Sequence, residues 1–515
     1  MNINEIENCK DGDQVENLTG WVSSIRDHGG LTFIDLRDFT ASIQLVFDKS
    51  GEVNTKLKNE YYISINGVFK KRDDSLINKK VFLGDSEIEV TNLTVINESK
   101  TLPFQIENEI DTDENIRLKY RYLDLRREPM KINIMTRSNT FKSIRSIMNQ
   151  LNIYEIDTPT LIKSTPEGAK DFLVPSRKSP GSFYALPQSP QMYKQLFMMS
   201  GFPNYYQIAK CYRDEDSRKD RQPEFTQLDL EFSDANPSVV KSNIETIIKF
   251  VFSDAYDCKV NTPFKSLSYN DAINLYGTDK PDMRIAETLI DITEIFENTE
   301  INFLNNIINN DGTVKALHTQ HILTRKEIDS LDNDIKELGS NGLGWFKIDN
   351  KNISGPLAKL LNKNETNKIL EFGSGTLLFQ AGEIKSIAKY LDHIRRNIFK
   401  PTADETYSFV WIEDFPFFEY EDGNLQPSHH PFTTPKDDQV FKEDPINATA
   451  LHYDLVLNGV ELGSGSQRIN NPEIQKLVLE KWGLDEAEIE NRFGWFIEAL
   501  SFGTPVHAGF AIGID

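Results

Sequence analysis

Hydrophobic and polar positions alternate on both sides of a charged loop in residues 205–231. Successive side chains point to opposite faces of a strand, so this pattern predicts two strands joined by the loop. The loop itself, residues 214–222, could be a solvated hairpin tip, which is what most such loops are. The positions predicted to face a core are Thr226, Leu228 and Leu230. The positions predicted to face a ligand are Arg213, Phe225, Gln227, Asp229 and Glu231.

Residues 1–102 show the short alternating runs of an all-β domain. Glycine and aspartate clusters separate five candidate strands, at residues 17–25, 31–37, 41–47, 61–69 and 87–96. This spacing predicts a five-stranded barrel of the OB type, and such barrels stack nucleic-acid bases on exposed aromatic side chains. Phe33 is a candidate for stacking a base, Gln44 for reading a base edge, and Arg26 for contacting a phosphate or a base. Burial of Phe33 in the barrel core is the alternative.

The remaining chain is predicted to be a multidomain α+β protein. Residues 103–136 are expected to form a hinge or linker whose second half is basic. Apolar residues recur with helical spacing between residues 137 and 151, and a strand containing Pro159 follows. Residues 137–280 and 401–515 are expected to form one domain around an antiparallel sheet. Between them, residues 281–400 alternate strand and helix patterns, which predicts an inserted α+β domain.

A second hairpin is predicted at Asn458 and Gly459, because this pair favours a two-residue turn. In that register Val456 faces Glu461, and Asp454 lies diagonal to Glu461 on the same face. Two carboxylates on one face repel each other unless a cation lies between them, and their oxygen atoms suit Mg²⁺. Two exposed surface acids are the alternative.

Two further segments carry candidate binding groups. Gln191 and Lys194 share a face near the predicted start of a helix, where an amide and an ammonium group suit a carboxylate ligand. A solvent-facing lysine is the alternative. Residues 165–171, which include Glu167, form a polar turn with a glycine, and we expect a mobile loop there. An ordinary surface turn is the alternative.

Length and charge exclude several classes of protein. A chain of 515 residues is too long to fold around a single hydrophobic core, and roughly two to four domains are expected. The sequence contains neither an apolar run of about eighteen residues nor an apolar signal segment, and its cysteines Cys9, Cys211 and Cys258 are scattered. These features predict a cytoplasmic protein without a membrane partner. The net charge of −22 argues against non-specific nucleic-acid binding, but it allows a folded RNA held by local basic patches.

The first hairpin resembles motif 2 of the class II aminoacyl-tRNA synthetases. The matching segments are Arg213-Asp-Glu215, Arg221-Gln-Pro-Glu-Phe225 and Glu231, and the match has no gap. The amino-acid sequences of these segments are similar to those of bacterial aspartyl-tRNA synthetases. The same family resemblance extends to the barrel, to the segments STPEGA, QSPQ and HHPFT, and to residues 281–400, which resemble its GAD insertion.

The resemblance implies an aspartate–tRNA ligase with ATP and Mg²⁺ as cofactors. The implied partners are L-aspartate, tRNA-Asp, and a second copy of the chain in a homodimer formed through motif 1. Arg213 is implied as the catalytic residue. The implied aspartate-binding residues are Glu167, Gln191, Lys194, Arg213, Asp229, His429 and Arg468, with His430 as the alternative to His429. The implied ATP-binding residues are Arg213, Asp214, Glu215, Arg221, Gln222, Phe225, Glu461, Gly513, Ile514 and Asp515. The implied metal ligands are Asp454 and Glu461, and the implied anticodon-binding residues are Arg26, His28, Phe33 and Gln44.

The last segment, residues 507–515, resembles motif 3 but departs from it. An arginine follows the aspartate in the family and binds the γ-phosphate of ATP, whereas this sequence ends at Asp515. We expect a truncated chain with weakened ATP binding, and a naturally shorter protein is the alternative.

Three other functions stay open on the sequence. The acidic net charge and the departure of residues 507–515 from motif 3 fit a tRNA-binding protein without ligase activity. A tRNA-free amide ligase on the same catalytic fold is disfavoured by the N-terminal barrel. Asparaginyl and lysyl enzymes share the barrel and motif 2, although we do not expect them to carry the insertion or the pairing of Lys194 with Arg468. Within the aspartyl enzymes, His28 favours a relaxed type that also charges tRNA-Asn.

Overall fold

The computed structural model describes residues 1–28, 31–48, 57–79, 82–164, 169–216, 221–402, 406–421 and 423–515. The chain divides into two compact units, Met1–Phe141 and Lys142–Asp515. In the described residues, no helix combines the length and the apolar character needed to cross a membrane.

The first unit is built on a closed five-stranded barrel, as predicted. The strand order around the barrel is β1-β2-β3-β5-β4, and β3 and β5 run parallel. Alternate side chains, such as Ile34, Leu36 and Leu45, fill the interior because a strand presents every second residue to one face. The barrel strands are β1 (Gln14–His28), β2 (Leu31–Arg37), β3 (Ser42–Asp48), β4 (Tyr62–Lys71) and β5 (Ser86–Asn97).

The segment after the barrel is helical rather than a simple linker. It forms α1 (Glu114–Lys119), α2 (Arg121–Asp124) and α3 (Glu128–Gln150), so the helix predicted from residue 137 begins at Glu128. The buried carboxylate of Asp124 accepts hydrogen bonds from Arg117, Arg121 and Arg127, which explains the basic composition of this stretch. Burial favours protonation of Asp124, but these guanidinium groups outweigh it and keep its pKa below the ordinary value.

The second unit contains the hairpins that carry the candidate chemistry. Its strands are β6 (Leu173–Pro175), β7 (Phe183–Ala185), β8 (Asn204–Tyr212), β9 (Glu224–Ser233), β10 (Lys265–Ser268), β11 (Ile290–Asp291), β12 (Thr313–Thr319), β13 (Gly344–Asp349), β14 (Asn352–Ser354), β15 (Gly375–Gly382), β16 (Phe409–Glu413), β17 (Phe418–Glu421), β18 (Asn424–Pro427), β19 (His452–Leu457), β20 (Val460–Gln467) and β21 (His507–Gly513). Its helices are α4 (Gln191–Met199), α5 (Pro237–Tyr256), α6 (Tyr269–Tyr276), α7 (Asn302–Asn309), α8 (Arg325–Glu337), α9 (Lys363–Leu370), α10 (Ile384–Ile398), α11 (Asp438–Glu443), α12 (Pro472–Lys481) and α13 (Glu486–Leu500).

A seven-stranded sheet positions the site, in the order β10-β16-β19-β20-β21-β9-β8. All neighbouring strands are antiparallel except β10 and β16. One face packs a core that includes Leu228, Leu230 and Phe510 together with residues of α3 and α5. Leu228 and Leu230 therefore take their predicted core positions, and Thr226 is buried without belonging to this cluster, which leaves the polar positions of β9 on the opposite face.

A separate five-stranded sheet, in the order β11-β12-β15-β13-β14, lies in the predicted insertion. Its two faces hold separate apolar clusters, one with α9 and one with α8 and α10. Beside it is a cleft of about 680 Å³ lined by residues of α7, α8 and α10. The charged side chains of this cleft pair with each other, Arg325 with Asp329 and Lys336 with Asp332. The cleft is therefore lined by balanced charges.

Candidate active site

The hairpin of β8 and β9 forms the floor of the site. The Arg213 guanidinium lies 5.0 Å from the centre of the Phe225 ring, in a cation–π arrangement. The backbone N–H of Arg213 donates to the carbonyl oxygen of Pro223, which fixes the end of the strand. Both side chains keep part of their surface open, so the structure presents a flat aromatic ring beside a fixed positive charge.

The loop that joins these strands carries the next predicted ATP contacts, and all of them are exposed. Arg221 pairs with Glu215 at 3.3 Å, and Asp214 donates its backbone N–H to the carbonyl oxygen of Lys170. Gln222 is exposed on the same loop. These side chains can rearrange around a ligand at small cost, because exposed ion pairs contribute little stability.

A buried network of two acids and two cations lies deeper on the same face. Lys194 from α4 contacts Asp229 at 2.9 Å and Glu231 at 3.5 Å. Arg468, which follows β20, donates to both oxygen atoms of Glu231, at 2.9 and 3.2 Å. Burial opposes ionisation of Glu231, but Arg468 and Lys194 outweigh it and hold its pKa below the ordinary value. The four charges balance, so the network is stable without a ligand and still offers two cations to a carboxylate.

Several buried atoms of this face lack a partner. Within the described chain, Asp229 Oδ2, Gln191 Nε2 and Arg213 Nε make no hydrogen bond. A buried polar atom without a partner costs free energy, which a ligand with complementary groups would recover. One acceptor and two donors suit a small molecule that carries an ammonium group and carboxylate or phosphate oxygens. The predicted contacts Gln191, Lys194, Arg213, Asp229 and Arg468 are thus brought to one face of the sheet.

The two consecutive histidines play different structural parts. His430 accepts a hydrogen bond from Arg468 Nη1 at 2.7 Å and lies beside Ser466. His429 instead stacks on His452, with ring centres 3.3 Å apart and planes 11° apart. Burial lowers the pKa of His429 to about 3, with His452 adding to this effect and Asp454 opposing it. Burial, followed by Arg468, lowers the pKa of His430 well below its ordinary value. The structure therefore places His430 at Arg468 and His429 nearer the acid pair. The role predicted for His429 stays a prediction.

The predicted metal ligands lie on one face of the second hairpin. Val456 pairs with Glu461 as expected, and Asn458 and Gly459 both have positive φ, as the two-residue turn requires. Asp454 is buried and accepts a hydrogen bond from His452 Nε2 at 2.7 Å. Burial raises the pKa of Asp454 to about 6, and burial together with Asp454 raises the pKa of Glu461.

Asp454 and Glu461 together form a candidate site for Mg²⁺. No group of three His, Cys, Asp or Glu side chains among the described residues is placed to hold a metal ion. Two carboxylates nevertheless fit Mg²⁺ that also takes phosphate oxygens and water, which is its usual coordination in nucleotide sites. The donor set therefore fits a metal bound together with ATP.

The end of the chain lies against the floor of the site. Gly513 pairs with Gln227, the backbone N–H of Ile514 donates to Thr226 O, and the Asp515 carboxylate accepts from the Thr226 N–H. This places residues 513–515 beside Phe225, as the ATP prediction requires. Earlier on β21, a Cβ on Gly509 would lie 1.9 Å from Glu231 Oε2, so only glycine fits beside this carboxylate.

The predicted anticodon-binding residues belong to the barrel. In the barrel, Arg26 donates to Asp35 at 2.8 Å and to Gln44 at 3.2 Å, and it is opposite Phe33 in the strand register. Arg26, Phe33 and Gln44 are therefore neighbours, as the anticodon prediction requires. Glu167 and the side chain of His28 lie outside the described residues.

Two site residues were missed by the sequence analysis. His452 lies two positions before Asp454 on a strand, so the alternation that places Asp454 also places His452 on the same face. Lys280 contacts Glu461 at 3.2 Å, and this contact crosses from a loop to a distant hairpin. Alternation on the strand could have found His452, whereas no local pattern indicates the contact of Lys280.

The stacked histidines give one testable pH dependence. Burial, followed by Arg468, lowers the pKa of His452 to about 3. As the pH falls through 6.5 the unfolded chain binds a proton that folded His452 does not, so stability is lost between pH 6.5 and 3. The raised pKa of Asp454 acts in the opposite direction between pH 6 and 3.8. We expect the unfolding free energy of His452→Asn to lie below that of the parent at pH 7. Thermal melts should show this deficit to be smaller by about 2 kcal/mol at pH 5. A deficit that is the same at both pH values would contradict this assignment.

Comparison with known families agrees with this arrangement. The family model of class II tRNA synthetases (D, K and N) matches residues 113–515, and that of the OB-fold nucleic acid binding domain matches residues 17–96. The chain therefore belongs to the class II aminoacyl-tRNA synthetases.

Its curated relatives carry more specific names. The aspartate–tRNA(Asp/Asn) ligase of Hydrogenobaculum is 44% identical over 97% of this chain and 89% of the relative. The enzyme of the same name from Dictyoglomus turgidum is 44% identical over 97% of this chain and 87% of the relative. The aspartate–tRNA ligase of Staphylococcus saprophyticus is 42% identical over 98% of this chain and 89% of the relative.

Solved structures share the fold at low sequence identity. Asparaginyl-tRNA synthetase from Pyrococcus horikoshii, complexed with asparaginyl-adenylate, has a TM-score of 0.62 and 16% identity over 100% of this chain and 93% of that chain. Aspartyl-tRNA synthetase from Entamoeba histolytica has a TM-score of 0.59 and 19% identity over 99% of this chain and 86% of that chain. These two structures support the fold alone.

Proposed function

We propose that the protein is an aspartate–tRNA ligase. It activates L-aspartate with ATP and transfers the aspartyl group to the 3′ end of tRNA-Asp, with tRNA-Asn as a second acceptor to be tested. The observation that carries the proposal is the buried network of Lys194, Asp229, Glu231 and Arg468, in a chain that belongs to this synthetase class. Two buried cations on one face suit a substrate whose side chain is a carboxylate.

The side chains divide into groups that bind aspartate and groups that bind the nucleotide. Lys194 and Arg468 bind the side-chain carboxylate of aspartate and reject asparagine, whose neutral amide forms no ion pair. Asp229 accepts from the substrate ammonium group through its unpaired oxygen atom. The other proposed aspartate contacts are Glu167, Gln191 and His429.

The nucleotide is proposed to lie across the hairpin floor. Phe225 stacks on adenine, and Arg213 binds both the α-phosphate and the reacting carboxylate, so it neutralises charge where the new bond forms. Glu215 binds the adenine amino group, and Arg221 and Gln222 contact the nucleotide. Residues 513–515 approach the base from the neighbouring strand. The protein contributes positioning and charge rather than covalent chemistry.

Asp454 and Glu461 are the residues proposed to hold Mg²⁺. The metal ion would neutralise charge on the phosphate groups that leave as pyrophosphate. Of the two ligands, Asp454 is the more fixed, because His452 donates to it and both side chains are buried.

The test is amino-acid-dependent ATP–pyrophosphate exchange, followed by charging of purified tRNA-Asp and tRNA-Asn. We expect exchange with aspartate, much weaker exchange with asparagine or lysine, and transfer to tRNA-Asp. Transfer to tRNA-Asn as well would assign the relaxed type. Tight tRNA binding with no exchange would instead select a tRNA-binding protein without ligase activity, and preference for asparagine or lysine would overturn the assignment to aspartate.

The barrel is proposed to bind the anticodon through Arg26, His28, Phe33 and Gln44. For Phe33→Ala we expect the dissociation constant for tRNA-Asp to rise by about tenfold or more, because loss of one stacked base costs about 1–3 kcal/mol. Filter binding measures this effect, and aspartate-dependent exchange should not change. Phe82→Ala, which removes an exposed phenyl group of the same barrel outside β2 and β3, is the matched control. Equal loss of tRNA binding in both variants would contradict the role of Phe33.

A homodimer is the proposed assembly. Large apolar side chains are exposed in the chain that follows α3, at Tyr154, Leu161 and Phe202. Contiguous exposed apolar surface often marks a protein interface. Sedimentation equilibrium should give twice the chain mass, and a concentration-independent monomer would contradict the proposal.

A further inference from the structure

Lys280 supplies a cation at the acid pair. Its Nζ atom lies 3.2 Å from Glu461 Oε2 and 3.7 Å from Asp279 Oδ2. The exposed fractions of the Lys280 and Glu461 side chains are 38% and 39%, so this contact is at the open edge of the site. Asp454, on the same face as Glu461, adds a further negative charge to the surroundings of the lysine.

The backbone that carries Lys280 is held from α10 in the inserted region. Arg396 donates to the carbonyl oxygen of Lys280 at 2.7 Å and to that of Gly459 at 3.4 Å. Gly459 is in the turn between the two strands that carry the acids. A Cβ at this position would lie 2.9 Å from Arg396 Nη1, so the arginine packs directly on the turn. One guanidinium group therefore ties the Lys280 backbone to the acid-bearing hairpin.

The preceding arginine of α10, Arg395, fixes the segment that follows Lys280. Arg395 is buried and donates to the carbonyl oxygens of Asp282, Ile285 and Glu287 at 3.0, 2.8 and 2.7 Å. The main chain on the C-terminal side of Lys280 is therefore anchored at several points. The lysine side chain, in contrast, has four rotatable carbons and an exposed ammonium group, so it is free to change partners over a short distance.

Lys280 and a metal ion held by Asp454 and Glu461 would share the Glu461 carboxylate. With Mg²⁺ and a nucleotide bound there, the Lys280 ammonium group would lose its Glu461 partner. Its anchored backbone would keep it close to the phosphate groups of that nucleotide. A lysine ammonium group is a compact point charge that binds phosphate well.

We propose that Lys280 is a substrate-binding residue for the terminal phosphates of ATP and for pyrophosphate, held on Glu461 until Mg²⁺ takes its place. The inference rests on the proposed function, because that function supplies the nucleotide and the metal. It also gives the inserted region a role, since α10 positions the lysine.

The test measures binding by the whole protein and needs neither aspartate nor tRNA. In titration calorimetry, Lys280→Ala should bind Mg·ATP and Mg·pyrophosphate at least about tenfold more weakly than the parent, the loss expected for one hydrogen bond to a charged group. AMP lacks the terminal phosphates, so its affinity should change by less than about twofold. Lys280→Arg keeps the charge and should retain most of the ATP affinity.

A second measurement separates binding from structural support. With Mn²⁺ as the probe and no nucleotide present, Lys280→Ala should bind the metal more tightly, because a competing cation has been removed from Glu461. Lys385→Ala, an exposed lysine on α10, is the matched control and should change neither affinity. Equal weakening of ATP and AMP, or an unchanged affinity for ATP, would overturn the inference. The parent protein's exchange with aspartate tests the proposed function separately.

Discussion

Arg213→Ala is expected to lower aspartate-dependent ATP–pyrophosphate exchange by about a thousandfold, which is the range seen when a cation at a transferring phosphoryl group is lost. Arg213 lies over the Phe225 ring, and its buried Nε atom has no hydrogen-bond partner among the described residues, so the guanidinium keeps a free donor for the proposed α-phosphate. Most of the loss should appear in kcat, because the new charge is larger in the transition state than in the bound substrates.

Lys210→Ala is the matched control for this variant. Lys210 is on β8, three residues before Arg213, is exposed, and pairs with Glu224 at the surface at 3.3 Å. Its removal should leave exchange nearly unchanged. A loss below about tenfold for Arg213→Ala would remove Arg213 from the catalytic role, since each tenfold corresponds to only about 1.4 kcal/mol of barrier.

Arg468→Met is expected to reduce both stability and substrate recognition. The substitution leaves Glu231 buried with Lys194 as its remaining cation, and breaking a buried pair in this way costs about 3–5 kcal/mol of unfolding free energy. It also removes the planar fork that we propose binds the aspartate side chain, so KM for aspartate should rise by at least about a hundredfold. Urea unfolding and aspartate saturation of the exchange reaction measure the two effects.

A double variant separates the two effects. Glu231→Gln in the Arg468→Met background removes the uncompensated charge and should restore a large part of the stability but not the aspartate affinity. Arg145→Met is the surface control, because its pair with Glu155 at 2.9 Å is exposed and should contribute at most about 1 kcal/mol. Recovery of aspartate affinity in the double variant would show that Arg468 acts only on the fold.

Local sequence patterns predicted much of the fold because the key elements are strands. Period-two alternation placed the five barrel strands and the inward face of β9. The Asn458-Gly459 pair placed the turn of the second hairpin and the pairing of Val456 with Glu461, whereas the register shift between Leu455 and Val456 was not predicted. The start of α3 at Glu128 was not predicted. Just before its first turn, arginine side chains form ion pairs with the buried carboxylate of Asp124. Ion pairs of this kind do not produce the regularly spaced apolar residues from which a helix is predicted.

The candidate site was predicted in part. Alternation put Asp229 and Glu231 on the ligand face, but nothing local indicated that both are fully buried. That burial depends on Lys194 from a helix and on Arg468, which is 237 positions from Glu231. The same limit applies to Lys280, whose partner Glu461 lies on a distant hairpin. Contacts of this kind depend on the packing of remote segments, which a single sequence does not encode locally.

The glycine at position 509 has a consequence for how this enzyme can change over evolution. A methyl group there would overlap both the Glu231 carboxylate and the backbone carbonyl oxygen of Leu230, which would lie 2.4 Å away, so main-chain atoms help to set the spacing at that point. Gradual enlargement of a residue is therefore not a route to a different amino-acid preference along this strand. A new preference must arise instead from exchanging charged side chains on the facing elements, and such exchanges are abrupt because each one unbalances a buried pair.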